Sequence, residues 1–271
     1  KIYGKSNIKM NYFKNKTILI TGASSGIGEC FANTLNKLGA RLVLTARTEK
    51  KLEEMCKTMN NATYISGDLS DKNFSNELYD ELKNKKITVD ILINNAGFGF
   101  SGLFLDSSIN NYKEMMNVNM YSLVSLTHLF LNDMVENKSG GIINISSLAS
   151  FQPIPYFSMY AASKAFVTSF TLGIYEEYRE LGIKVLGVCP GYTKTNFNKR
   201  AQMSSQPVAG YLMSSQEVVN ESLEAYRKGK FLIINGKINR FAKAVTSLLP
   251  KKISLKMSKS IIRKGMNNSQ W

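Results

Sequence analysis

Histidine is almost absent from this chain: His128 is the single one in 271 residues. The three cysteines, Cys30, Cys56 and Cys189, are scattered and show no metal-ligand spacing, so nothing in the sequence resembles a metal site. An odd number of separated thiols also argues against a disulfide framework, and free thiols in a reducing compartment are expected. No stretch approaches the roughly 18 to 20 consecutive apolar residues that a membrane-spanning helix needs. The basic-then-apolar layout of a secretory leader is missing as well, so a soluble cytoplasmic protein is expected. With no linker rich in Pro, Gly and Ser, one domain is the simplest organisation.

Acidic residues are missing from one region in particular. All twenty Asp and Glu lie at or before Glu224, whereas twelve of the thirty-five Lys and Arg follow it. The formal net charge of +15 therefore divides into +3 over the first 224 residues and +12 over the last 47. The basic character belongs to the tail and not to the body of the protein.

What is present is an alternation of short aliphatic runs with helical patterns, which favours a parallel sheet covered on both faces. The runs Thr17–Thr21, Arg41–Ala46, Thr63–Ser66, Asp90–Asn94, Gly141–Ser146, Lys184–Cys189 and Phe231–Ile234 read as seven strands. Helical periodicity falls near Gly26–Leu38, Glu49–Met59, Asp71–Lys83, Ser108–Glu136, Ser158–Glu180 and Gln216–Lys228. His128 lies in one of these helical stretches, where packing is a more ordinary role than catalysis. Residues 1–13 read as an N-terminal extension, 14–235 as the α/β domain and 236–271 as a basic tail.

Ligands of open α/β sheets bind beyond the carboxyl ends of the strands. Directly after the first strand stands Thr21-Gly22-Ala23-Ser24-Ser25-Gly26-Ile27-Gly28, followed at once by a helix. Glycines there permit a tight turn and a close approach of backbone to a pyrophosphate, and the helix start offers free N–H groups. A dinucleotide fits that loop. After the fifth strand come Ser147 and, thirteen residues later, Tyr160-Ala161-Ala162-Ser163-Lys164. The i, i+4 spacing stacks a phenol and an ammonium on one helix face, where the cation could hold the phenol's proton affinity down.

The glycine spacing, Gly-x-x-x-Gly-x-Gly, resembles that of the short-chain dehydrogenase/reductase family. Further motifs follow in that family's order: Asp68-Leu69, Asn94-Asn95-Ala96-Gly97, Asn119, Ser147, Tyr160, Lys164 and Pro190-Gly191. The resemblance spans roughly residues 14 to 235 and implies one Rossmann-type, doubly wound domain. It further implies that Gly22, Ser24, Ser25, Gly26, Ile27 and Gly28 cradle the cofactor. Asp68 and Leu69 would flank the adenine, Asn95, Ala96 and Gly97 would lie by the ribose, and Pro190, Gly191, Thr193 and Thr195 would lie by the nicotinamide. The bare residues leave a second reading for Asp68, that of a helix cap in Asp68-Leu69-Ser70-Asp71.

The resemblance assigns Tyr160 as general acid, Ser147 as hydrogen-bond donor to the substrate oxygen, and Lys164 as tuner of Tyr160 and ligand of the ribose. Asn119 would hold a helix bend and a water linking Lys164 to solvent. Backbone capping by Ser147 is the competing reading. At the end of the second strand Ala46 stands where NAD-preferring relatives carry aspartate, and Arg47 offers donors suited to a phosphate, so NADP(H) is the expected cofactor. A surface arginine with no partner is the alternative reading of Arg47.

Segment 196–215, with Phe197, Met203, Tyr211, Leu212 and Met213, corresponds by resemblance to the substrate lid. Phe98, Phe100, Phe151, Pro153, Ile154 and Phe157 suggest an apolar pocket for a lipid-like, 3-oxoacyl or aromatic carbonyl. In the tail, Phe241, Val245, Leu248 and Leu249 form an apolar face, Pro250 interrupts, and Lys252, Lys256, Lys259 and Arg263 form a basic stripe. Two amphipathic helices follow, with four uses open: covering the pocket or a subunit interface, contacting an anionic membrane surface, holding acyl-CoA phosphates, or, least favoured, binding nucleic acid. Trp271 is expected to be disordered. A homodimer or homotetramer paired through 108–136 and 158–180 is implied by the resemblance. A non-catalytic NADP(H)-binding sensor or scaffold is the alternative to an enzyme.

Overall fold

The computed structural model describes residues 10–197, 201 and 212–265. Residues 1–9, Trp271 and most of the expected lid, including Met203 and Tyr211, lie outside the described residues.

Six strands and six helices alternate through the first two thirds of the chain. They are β1 (Thr17–Thr21), α1 (Gly26–Lys37), β2 (Arg41–Ala46), α2 (Glu49–Thr58), β3 (Ala62–Ser66), α3 (Phe74–Asn84), β4 (Ile91–Asn94), α4 (Ile109–Met116), α5 (Ser122–Glu136), β5 (Gly140–Ile145), α6 (Ser158–Tyr178) and β6 (Ile183–Cys189). A two-residue pair, β7 (Thr193–Lys194) and β8 (Met213–Ser214), precedes α7 (Ser215–Arg227) and the last strand, β9 (Leu232–Ile234). The tail forms α8 (Lys237–Leu248) and α9 (Lys251–Gly265).

The main sheet is seven-stranded and parallel, in the order β3-β2-β1-β4-β5-β6-β9. Winding runs outward from β1 to β3, then reverses to β4 on the other side of β1, which opens a crevice at the carboxyl ends of β1 and β4. The period-two alternation of β1 explains the layers: Ile18 and Ile20 enter the core under α1, α2 and α7, while Leu19 enters the core under α3, α5 and α6. Both faces are covered, as the aliphatic runs require.

Three local differences from the sequence expectation have physical causes. The helix expected from Asp71 starts at Phe74 because Asp68 and Asp71 use their carboxylates on turns, accepting the N–H of Ser70 and of Asn73, each at 2.9 Å. Asp68 therefore closes a turn rather than capping α3. The long helix expected over 108–136 is interrupted by a π-helical segment at Asn117–Tyr121, where Asn119 sits in the bend assigned to it. The β7–β8 pair was not foreseen, since two residues carry no periodicity.

Pro250 separates α8 from α9, as its missing N–H demands. α9 is fastened to the segment after β5: Ser254 Oγ donates to Gln152 Oε1 at 2.9 Å and Ser258 Oγ to the Pro153 carbonyl at 3.3 Å. Ile262 is buried in one apolar cluster with Ile154, Phe157 and Tyr160. The apolar face of α8 behaves differently from a core helix, because Phe241 and Leu248 point to solvent.

Candidate active site

The loop from β1 to α1 is held by hydrogen bonds that cross to β4. Thr21 Oγ1 accepts the N–H of Asn95 at 2.9 Å and of Ala96 at 3.0 Å, and the Asn95 amide donates to the carbonyls of Thr21 (2.9 Å) and Gly22 (3.2 Å). Gly22 and Gly26 adopt φ of +63° and +60°, which side chains rarely tolerate. Ser25 begins α1 without a side-chain cap, so the first N–H groups of that helix have no side-chain acceptor from it.

The crevice continues as one cavity of about 480 Å³. Arg47, Asp68 and Leu69 line it, as do Gly22, Ser24, Ser25, Gly26 and Ile27 of the loop after β1. Asn95, Ala96, Gly97, Ser147, Tyr160, Lys164, Pro190, Gly191, Thr193 and Thr195 line it too. Two site residues stand behind it. Gly28 packs under the loop, where a Cβ would lie 2.3 Å from the Gly22 carbonyl oxygen, and Asn119 lies behind Gly97.

Asn119 accepts the Phe98 N–H at 3.0 Å and donates to the Phe98 carbonyl at 2.9 Å and to Ser163 Oγ at 3.0 Å. It pins the strand-to-loop segment after β4 onto α6, and that places Gly97 against Lys164. Lys164 is buried, and its ammonium donates to the carbonyl of Ile145, the last residue of β5, at 2.8 Å. Burial lowers its pKa to about 8.

Tyr160 is buried beside it, with the Lys164 nitrogen 5.8 Å from its ring centre. Desolvation pushes the phenol up to about 12, and a hydrogen bond with Ser147 pulls it the other way. The expectation that Lys164 holds the phenol's proton affinity down is not met in this geometry. Removing both groups from water acts more strongly than the ammonium does on the phenol, and it favours the neutral form of each. Ser147 Oγ accepts the Ala149 N–H at 3.1 Å, which is the backbone capping of the competing reading, and the same side chain lies close enough to Tyr160 to lower the phenol.

Arg47 is half-exposed, with Nη1 3.4 Å from Glu114 Oε1 and 3.8 Å from Asp68 Oδ2, so it is not the partnerless arginine of the alternative reading. Thr193 Oγ1 donates to the Gly191 carbonyl at 3.0 Å, and Thr195 Oγ1 accepts the Phe197 N–H at 3.2 Å. The wall beyond Tyr160 is apolar, with Phe98, Phe151, Ile154, Phe157 and Phe197. Phe100 and Pro153 do not reach the cavity; Phe100 packs edge-on against Phe98 and Tyr112. His128 is exposed on α5.

Sequence reasoning missed one group and left another without named residues. One is the hydroxyl of Ser146, which donates to the Lys164 carbonyl at 2.8 Å and bonds Thr168 Oγ1 at 2.7 Å, locking α6 to the end of β5. Its position next to Ser147 was the available signal. The other is the tail: covering the pocket was one of the four uses left open for it, and its Ile238, Asn239, Ala242, Lys243, Thr246, Ser258, Ile261 and Ile262 line the cavity. No local motif marks them, because docking of α8 and α9 puts them there.

The sequence pattern of the short chain dehydrogenase family matches residues 16–206. The chain belongs to this family. Among its relatives, dehydrogenase/reductase SDR family member 7B of Danio rerio is 35% identical over 198 residues, covering 69% of this chain and 64% of the relative. Very-long-chain 3-oxoacyl-CoA reductase-B of Danio rerio is 32% identical over 208 residues, 73% of this chain and 66% of the relative. The chain thus spans just under two thirds of the length of these two relatives. Among solved structures, a short-chain dehydrogenase from Sphingobium yanoikuyae in complex with NADPH matches with a TM-score of 0.77 at 28% identity, covering 86% of this chain and 92% of that one. Short-chain dehydrogenases are oxidoreductases that act on CH–OH groups with a nicotinamide cofactor. The residues of this short-chain dehydrogenase fit such a group: the loop glycines leave backbone, not side chain, facing the crevice. At Gly97 a Cβ would crowd Asn119 Oδ1 and Lys164 Nζ at 3.2 Å.

Proposed function

We propose that this chain is an NADP(H)-dependent reductase that interconverts a carbonyl and a secondary alcohol on an apolar, lipid-like substrate. The observation that carries this reading is one cavity holding Ser147, Tyr160 and Lys164 between a glycine-rich dinucleotide loop and an aromatic wall.

A bound nicotinamide cofactor supplies the hydride to the carbonyl carbon. Tyr160, protonated through the neutral range with a pKa of about 12, gives its proton to the oxygen, and Ser147 donates a hydrogen bond to the same oxygen. Lys164, with a pKa of about 8, is poised to return a proton to Tyr160 near neutrality and to donate to ribose hydroxyls. Asn119 acts through position, holding the Phe98 segment and Ser163 so that Lys164 stays at the crevice. Arg47, Asp68 and Leu69 would receive the adenosine end. Ala46 supplies no carboxylate to bond ribose hydroxyls or repel a 2′-phosphate, which supports NADP(H). The NADPH in the Sphingobium yanoikuyae relative supports the same choice.

The apolar wall supports an acyl chain or bulky ketone, and the name of the Danio rerio 3-oxoacyl-CoA reductase points the same way. The test is NADPH oxidation against 3-oxoacyl thioesters of increasing chain length beside short and bulky ketones. Rates rising with chain length are expected. Tyr160→Phe should lose on the order of a thousandfold in turnover while still binding NADPH. Turnover of Tyr160→Phe near the wild-type rate would reject the assignment.

A further inference from the structure

Apart from Ile262, which is buried beside Ile154 and Phe157, the two tail helices turn most of their large apolar side chains away from the domain. α9 buries Ser254 and Ser258 against the domain and leaves Ile253, Leu255 and Met257 exposed. α8 buries Asn239 and turns Ile238, Phe241, Val245 and Leu248 outward, with Phe241 72% and Leu248 86% exposed. A helix docked only for stability would do the reverse, since burying such side chains is the main source of packing free energy.

The patch reaches the cavity through α8. Ile238 is exposed and also lines the cavity, so the outward face of α8 reaches its edge. In the segment leading into α4, Leu103, Phe104, Leu105 and Ile109 are exposed as well, with Leu105 at 89%; none of the four lines the cavity. This loop meets α9 at Tyr156, whose carbonyl accepts the Gly102 N–H at 2.9 Å and whose ring lies 5.9 Å from the Lys259 ammonium. Eleven of the fifteen large apolar side chains exposed among the described residues belong to these two regions. Contiguous apolar surface of that kind marks a contact site.

Charge selects the partner. Exposed Lys251, Lys252 and Lys256 have no carboxylate within ion-pair distance among the described residues, and no acidic residue follows Glu224 anywhere in the chain. A second copy would set one +12 tail against another, and a nucleic acid would leave Phe241, Leu248 and Leu255 in water. Apolar side chains flanked by lysines match a surface that is anionic outside and hydrocarbon beneath.

We infer that α8, α9 and the loop at 103–109 form a docking surface for an anionic lipid bilayer, and α8 carries that surface to the edge of the cavity. The helices lie on the membrane and do not cross it; no described helix is long and apolar enough to span one. The surface gives a substrate dissolved in the bilayer a short apolar route to Tyr160. The binding itself does not depend on the reductase reading.

Flotation of the full chain with phosphatidylcholine vesicles, with and without about 30% phosphatidylserine, tests this. The wild type should float with the anionic vesicles and stay behind with the neutral ones. Phe241→Ser/Leu248→Ser and Lys252→Glu/Lys256→Glu should each lose on the order of tenfold in the bound fraction. Thermal melts of each variant report folding, so flotation is interpretable whether or not any ketone is reduced. If the serine variant does not fold, the charge-reversed variant decides. A wild type that floats with neither vesicle overturns the inference, as does a charge-reversed variant that floats like the wild type. A wild type that fails to float but pairs in solution, with pairing lost in Phe241→Ser/Leu248→Ser, gives the surface to a second copy and equally overturns it.

Discussion

The ammonium of Lys164 donates to the carbonyl oxygen of Ile145 at 2.8 Å. This bond ties the first third of α6 to the end of β5 and holds a largely buried cation at the wall of the cavity. Ser146 reinforces the tie by donating to the carbonyl of Lys164 itself. The fold thus carries a buried charge at the point where the proposed chemistry needs an exchangeable proton.

That charge should make stability depend on pH. An unfolded lysine keeps its proton to about 10.5, whereas the folded one gives it up near 8, so between these values the unfolded state binds more protons and stability rises with pH. Tyr160 has the opposite sign. Its folded value of about 12 exceeds the ordinary 10, so the stability it contributes is complete below pH 10 and is lost as pH climbs towards 12. Lys164→Met should therefore melt roughly 2 to 5 °C above the wild type at pH 7, with the gap closing as pH passes from 8 to 10. Turnover should be lost. Melting curves at pH 7 and pH 10 check this, and a variant that melts below the wild type at pH 7 would show that the hydrogen bond to Ile145 outweighs the burial of the charge.

Cofactor choice should rest on two adjacent positions. Arg47→Ala should lower kcat/KM for NADPH by roughly ten- to a hundredfold and leave NADH little changed, the size of one or two charge-assisted hydrogen bonds. Ala46→Asp should shift preference towards NADH, because a carboxylate at the end of β2 accepts from ribose hydroxyls and repels a phosphate. Steady-state kinetics with both cofactors decide it. Equal losses for the two cofactors in Arg47→Ala would mean that Asp68 and Glu114 hold the guanidinium for structure alone.

Gly28 does not line the cavity, yet it should be indispensable to binding. A Cβ there would stand 2.3 Å from the Gly22 oxygen and 2.5 Å from the Asn95 amide, and that amide already bonds Thr21 and Gly22. Neither neighbour can yield without opening the loop. Gly28→Ala should cost about 1 to 3 kcal/mol of stability and weaken NADPH binding on the order of tenfold or more, read by chemical denaturation and by titration calorimetry. Unchanged affinity would show that the loop tolerates displacement.

Much of this protein was legible before the fold was built. The aliphatic runs marked the seven strands to within a residue or two, because the middle of each strand is a short run dominated by aliphatic and β-branched residues. The glycine loop and Ser147 were legible because each directly follows a strand end, and the Tyr160–Lys164 pair because its i, i+4 spacing lies within one helix. Boundaries failed where side chains competed with the backbone, as Asp68 and Asp71 do ahead of α3.

The sequence by itself carried the order of elements, through periodicity, and the resemblance to the family together with the candidate site residues it implies, through ordered local motifs. Tertiary structure decided the rest. Whether the amide of Asn95 points to a ligand or clamps a loop depends on the distance between β1 and β4. Whether Lys164 lowers the phenol or is itself depressed depends on how completely α6 and β5 exclude water. The tail makes the same point most plainly: its apolar and basic residues could be counted in the sequence, but only docking of α9 through Ser254, Ser258 and Ile262 determines which of them meet the cavity and which meet solvent. Burial is a property of what lies opposite a side chain, and that is set by chain segments a hundred residues away.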